Sequence, residues 1–197
     1  METGTEFTIG ARASCSDGPC GEVRRIIVDP AAGTVTHLVI EHKHRHQPGR
    51  LVPLDLVDTT AGEVRLSCTI AEFDQLDPAE EAEVVEGRGA GVPTLGGAPT
   101  GTGIPQLAQF TVEDVVPVGE VEMSPGDHVY ALDGEIGEVQ GFLVDPVDHH
   151  VTHVLLKEGH LWGRKKVAIP VSAVTGMAEG IRLNITKKQV EDLPPLG

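Results

Sequence analysis

Three histidines, His42, His44 and His46, stand two residues apart. On an extended strand that spacing puts all three side chains on one face, where imidazoles would bind Zn²⁺, Ni²⁺ or Cu²⁺. Lys43 and Arg45 alternate with them, Pro48-Gly49 follows, and no cysteine adjoins the stretch. A solvated basic loop tip is therefore the plainer reading. A second group comprises His149, His150, His153 and His160. His37 and His153 hold matched places in a repeat described below, which points to a ring serving the fold, for instance by donating to a backbone carbonyl. His149 and His150 read as an exposed turn.

Cys15 and Cys20 flank a turn and invite a redox reading. Their counterparts in the repeat are Ala131 and Ile136, and Cys68 matches Ile185. All three cysteines thus map onto apolar residues, as small core hydrophobes do. His160, Leu161, Trp162, Arg164, Lys165 and Lys166 form the one stretch that combines an aromatic anchor with a basic run. Trp and Arg are favoured at protein interfaces; packing of Trp162 within or between subunits is the alternative. No catalytic arrangement emerges. The glycines of 87–103 do not lie between a strand and a helix, no serine sits at a nucleophile elbow, and the paired carboxylates Asp17 and Glu22 lie on turns.

The elements that must position these residues are written twice. Gly21-Glu22-Val23, Val28-Asp29-Pro30 and Val35-Thr36-His37 return as Gly137-Glu138-Val139, Val144-Asp145-Pro146 and Val151-Thr152-His153, at a constant offset of 116 residues. Each copy opens with a hairpin whose turn is Asp17-Gly18 or Asp133-Gly134, because Asp-Gly accepts positive φ. Asp-Pro ends the next strand. Gly33 and His149 match, and both tolerate a left-handed backbone. Val35 to Glu41 and Val151 to Lys157 read as strands buried on both faces. Short helical turns at 54–57 and 171–174 and a last strand follow. Thr69-Ile70-Ala71-Glu72 and Thr186-Lys187-Lys188-Gln189 then match a capping box, which predicts a short closing helix.

Outside the copies, residues 1–8 read as a frayed tail. Residues 77–86 read as a charged helix and 87–109, with seven Gly and three Pro, as a flexible linker. Phe110 to Met123 has β character and no evident counterpart in the first copy; it is expected to add a strand to one of the units.

The 197-residue chain carries a formal charge of −15 and only 3% aromatic residues. Residues 10–78 and 125–197 each hold ten acids and seven bases, so most of the negative charge sits in the tail and connector. That balance opposes general nucleic-acid binding, which rests on phosphate neutralisation. No apolar run approaches a membrane span and no leader is evident, so no membrane association is expected. An odd cysteine count fits a reducing cytoplasm. Units this small have limited cores, so the copies are expected to pack on each other or to dimerise.

The repeated pattern Gly-x-x-Gly-Glu-Val, Val-Asp-Pro, Val-Thr-His and a late Pro-x-x-x-Val resembles the PRC-barrel family. It runs over Gly18 to Val23, Val28-Asp29-Pro30, Val35 to Leu38 and Pro53 to Val57, and again over Gly134 to Val139, Val144-Asp145-Pro146, Val151 to Val154 and Pro170 to Val174. The resemblance implies a mainly β protein of two small antiparallel PRC-type β-barrels, each closed by a short C-terminal helix and joined by a flexible connector. The first repeat would span 9–78, the linker 79–109 and the second repeat 110–195, with an extra N-terminal strand. In that family such barrels serve as interaction modules, in the photosynthetic reaction-centre H subunit and in a ribosome-maturation factor. This chain looks most like the stand-alone tandem members found in actinobacteria. The function expected is a non-enzymatic, cytoplasmic protein-binding or scaffolding module without cofactor, self-associating or binding a protein partner through 158–166. A metal-binding protein using His42, His44 and His46 is the alternative, and a ribosome- or RNA-processing-associated factor the second.

Overall fold

The computed structural model describes residues 4–42, 48–60, 63–85, 109–157, 167–178 and 180–193. The chain is mainly β. Its strands are β1 (Thr5–Thr8), β2 (Arg12–Cys15), β3 (Gly18–Asp29), β4 (Thr34–Glu41), β5 (Arg50–Pro53), β6 (Val57–Thr60), β7 (Glu63–Leu66), β8 (Glu80–Val85), β9 (Gln109–Asp114), β10 (Val121–Met123), β11 (His128–Ala131), β12 (Gly134–Val144), β13 (Val151–Lys157), β14 (Val167–Pro170), β15 (Val174–Gly176) and β16 (Ile181–Leu183). Two short helices, α1 (Ile70–Phe73) and α2 (Lys187–Glu191), close the copies.

Each copy folds into a curled seven-stranded sheet of the same order. The first runs β5-β4-β3-β2-β7-β6 with β10 added to β3. The second runs β14-β13-β12-β11-β16-β15 with β1 added to β12. The long strands β3 and β12 pair with three others each, β3 with β2, β4 and β10 and β12 with β11, β13 and β1. Bulges at Val23/Arg25 and Val139/Gly141 interrupt their pairing with β4 and β13 and let the strands bend.

The copies exchange strands. β1, before the first copy, pairs with β12 of the second, with Thr5 opposite Val144 and Phe7 opposite Phe142. β10, before the second copy, pairs with β3 of the first, with Val121 opposite Val28 and Met123 opposite Ile26. Every one of these residues has its equivalent 116 positions away, so the exchange is reciprocal. Residues 5–8 are therefore not a frayed tail: they are the counterpart of Val121–Met123. Likewise the strand expected to extend the second repeat is laid on the first.

The turns meet at the same pseudo-dyad. Thr34 bridges His150. Val35 N donates to His149 O at 3.1 Å and Val151 N to Gly33 O at 2.9 Å. Gly33 and His149 both adopt the left-handed backbone, at φ 68° and 60°. Asp29 Oδ1 accepts from Ala31 N and Ala32 N, and Asp145 Oδ1 from Val147 N, which fixes both Asp-Pro turns.

One hydrophobic core runs through both copies. It holds Val23, Ile26, Val28, Leu38 and Phe73 of the first, Val139, Phe142, Val154, Ile169 and Ile181 of the second, and the exchanged Phe7 and Met123. Both closing helices carry a complete capping box. Each also receives help from its hairpin turn: Asp17 Oδ1 accepts from Ile70 N and Asp133 Oδ1 from Lys187 N, both at 2.8 Å. The helical turns stand at Leu54–Leu56 and Val171–Ala173.

The connector differs from expectation. Residues 80–85 form no helix but the strand β8, paired antiparallel with β9 from Glu80 opposite Asp114 to Val85 opposite Gln109. The alternation Glu81, Glu83 against Ala82, Val84 has a period of two and suits a strand; the proline after Asp77 suggested a helix start that the chain does not use. Residues 86–108, most of the expected linker, lie outside the described residues.

Candidate functional site

Features held in common by both copies belong to the fold they share. Features present in one copy alone are where a private role is to be sought, and four such places stand among the described residues.

The first is Arg25, matched by Gly141 in the second copy. Gly141 has no room for a side chain, since a Cβ there would lie 2.0 Å from the Phe7 carbonyl oxygen. Arg25, 7% exposed, instead gathers the connector. Its Nη1 donates to Asp114 and reaches Glu122 Oε2 at 3.4 Å, and its Nη2 donates to Glu80 at 2.9 Å. Burial opposes the charge, but the Asp114 hydrogen bond and the three carboxylates outweigh it and raise the guanidinium above its ordinary value. Its Nε is buried without a hydrogen-bond partner. Arg25 thus ties the β8–β9 ribbon and β10 to the first sheet.

The second is the cysteine group. Cys15, Cys20 and Cys68 are free and buried. Burial pushes the Cys15 and Cys20 thiols up, and their mutual proximity raises Cys15 further. A thiol held protonated is a poor nucleophile and a poor ligand, as befits a core residue.

The third is His42. Its Nε2 lies 3.0 Å from Asp74 Oδ1, and its ring meets Phe73 edge-on at 5.2 Å. An acid does therefore stand beside the first of the three histidines, brought there by α1 from 32 residues away. His44 and His46 lie outside the described residues, as do His160, Leu161, Trp162, Arg164, Lys165 and Lys166. Among the described residues no group of three or more His, Cys, Asp or Glu is placed to hold a metal ion.

The fourth surrounds His37. His37 and His153 occupy the same register, opposite Pro53 and Pro170. Each Nδ1 contacts the preceding threonine hydroxyl, at 3.1 Å to Thr36 and 3.2 Å to Thr152, rather than a backbone carbonyl. Among the described residues only the first copy adds a carboxylate. Thr36 Oγ1 donates to Glu120 Oε2 at 2.5 Å, and His37 Nδ1 lies 3.8 Å from the same oxygen. The residue 116 positions before Glu120 is Gly4. Glu120 is aimed by a turn in which its N–H donates to Pro117 O at 3.0 Å, with Gly119 at φ 89° in the third position, where a type II turn requires positive φ.

His37 stands between two clefts. One, of about 330 Å³, is lined by Leu51, Pro53, Leu76, Asp77, Pro78, Val115 and Pro117 with His37 at its wall. The connector builds it: Leu51 N donates to Asp77 O and Val115 N to Ala79 O, both within 2.9 Å, which straps 77–79 and 115–117 along the edge of β5. Beneath them Ile27, Val39, Leu51 and Ala79 form a small second core capped by Val115 and Val116. The other cleft, of about 360 Å³, lies at the dyad between Thr34–His37, Pro53–Asp55 and the second copy's Asp148 and His149. Neither lining contains Lys or Arg.

Sequence reading reached His37 through its repetition but not Glu120, which looks unremarkable in a stretch with no evident counterpart. The usable signal was the offset of 116 extended backwards to Gly4. No protein-family model matches this chain, and no curated protein matches it. No helix among the described residues is long and apolar enough to cross a membrane.

Proposed function

We propose that this chain is a non-enzymatic protein-binding or scaffolding module built as a tandem of PRC-type barrels, working in a reducing cytoplasm. The carrying observation is the reciprocal strand exchange, which fuses two small units into one pseudo-symmetric body with a shared core. Such fusion gives a rigid platform whose copies then diverge at their surfaces. The groups that diverge are an ion-paired strap and a mostly apolar cleft, which suit recognition more than bond-breaking. The buried, protonated thiols fit the compartment. Self-association or a protein partner, with 158–166 as one contributing surface, completes the reading.

Solution mass by light scattering, with added Zn²⁺ or with chelator, tests it. A metal-independent dimer or larger assembly is expected. A monomer that retains no protein from its native cytoplasm in a pull-down would overturn it.

The contact between His42 and Asp74 favours one second reading, a metal-binding loop of His42, His44 and His46. A mass or melting temperature that tracks Zn²⁺ and is lost in His44→Ala would put this reading first.

A further inference from the structure

We infer that the cleft beside His37 receives the segment 158–166 of a second copy, with the Trp162 indole in the apolar floor and Arg164-Lys165-Lys166 toward Asp77. This rests on the self-association proposed above and names its two surfaces.

Among the described residues this cleft belongs to the first copy, where Val115 and Pro117 strap the edge of the sheet. Its volume of about 330 Å³ suits one large side chain. Three proline rings, Pro53, Pro78 and Pro117, line it with Leu51, Leu76 and Val115. Proline rings and aromatic faces are mutual partners in peptide recognition. Val118, which follows Pro117 in the chain, is fully exposed.

Charge selects the occupant. Asp77 lies in this cleft and Asp55 and Asp148 in the adjoining one, with Glu120 behind His37. Arg50, beside the cleft, is committed through Nη1 to the Leu76 carbonyl at 3.0 Å. An occupant should therefore join an aromatic or apolar anchor to positive charge. The chain contains a single Trp, and it lies two residues from the run Arg164-Lys165-Lys166.

Chain length favours an intermolecular contact. β4 and β13 leave the dyad at the Thr34–His150 bridge in opposite directions. Lys157 stands seven residues beyond that bridge, roughly 20 Å at the rise of a strand. The cleft lies on the other side, about 10 Å out at His37. A nine-residue segment tethered at Lys157 and Val167, whose strands are paired at Leu156 and Val167, reaches outward about 15 Å at most. Measured along the sheet, the way to its own cleft is about twice that reach, so a second copy is the occupant inferred.

The test uses the full-length chain carrying Trp162→Ala, which has no indole, and a peptide of residues 158–166 as the only indole fluorophore. Saturable fluorescence anisotropy and a blue shift are expected, weakened several-fold in 0.5 M NaCl because the ionic contacts are screened. Pro117→Arg, which puts bulk and positive charge into the cleft, should abolish binding. In light scattering, Trp162→Ala and Pro117→Arg should each raise the dissociation constant of the assembly about tenfold or more. Mixing the two variants should restore one productive contact.

No anisotropy change, an unchanged signal with Pro117→Arg, or equal binding of a scrambled peptide would each overturn the inference. Assembly that persists in both variants would overturn it while leaving self-association intact. A monomeric wild-type chain that ignores the peptide would remove both.

Discussion

Glu72 and Gln189 show how far two matched side chains can be alike in geometry and unlike in chemistry. Each accepts from the N–H of its capping threonine, at 2.8 Å in Glu72 and 2.9 Å in Gln189. The Thr69 backbone and hydroxyl hydrogen bonds lower the Glu72 pKa from its ordinary 4.5. A depressed folded-state value means that folding favours the charged form. The contribution is complete above pH 4.5 and is lost as pH falls through the lowered value. Gln189 cannot titrate. Glu72→Gln should therefore change the melting temperature little at pH 7 and make the protein less sensitive to acid. Thermal melts of both proteins at pH 7 and pH 3 check this; identical acid losses would refute it.

Among the elements, the exchanged strand β1 depends on one position in β12. Thr8 pairs with Gly141, and a Cβ there would come within 2.0 Å of the Phe7 carbonyl oxygen. Backbone cannot yield as a flexible side chain can, so Gly141→Ala must push β1 off the second sheet. Phe7, 4% exposed, would lose part of its burial. A loss of about 1–3 kcal/mol is expected, in the range of overpacked cores. Amide hydrogen exchange should show it in residues 5–8 and 141–144, with β10 unaffected. The first sheet solves the same place differently: Arg25 replaces the close backbone approach with ion pairs to Glu80 and Glu122 and a hydrogen bond to Asp114. Arg25 thereby ties the connector ribbon to the first sheet.

At the scale of the whole molecule the two copies are one folding body, since each lends a strand and core side chains to the other. Covalent continuity through 86–108 should then be dispensable once the chain has folded. With a specific protease site inserted between residues 95 and 100, the cleaved halves should co-elute in size exclusion under native conditions and separate only in denaturant. Separation without denaturant would contradict the shared core. Every additional strand exchanged also raises the sequence separation of contacts, so folding should be slow for a chain of this size.

The sequence by itself determined the repeat, the Asp-Gly and Asp-Pro turns, the capped helices and the burial of the cysteines. Each of these is local: a turn needs its own positive-φ residue, a cap its own hydroxyl, and an offset of 116 is visible without any contact. Gly33 and His149 belong here too, because the tolerance of both residue types for a left-handed backbone is legible from their matched place. The tertiary structure alone decided which sheet receives β1 and β10, that β8 pairs with β9, and that Asp74 meets His42 and Glu120 meets Thr36 and His37. Strand pairing is satisfied by any edge of suitable register. Its choice depends on where both edges lie in space, which no local pattern of side chains encodes.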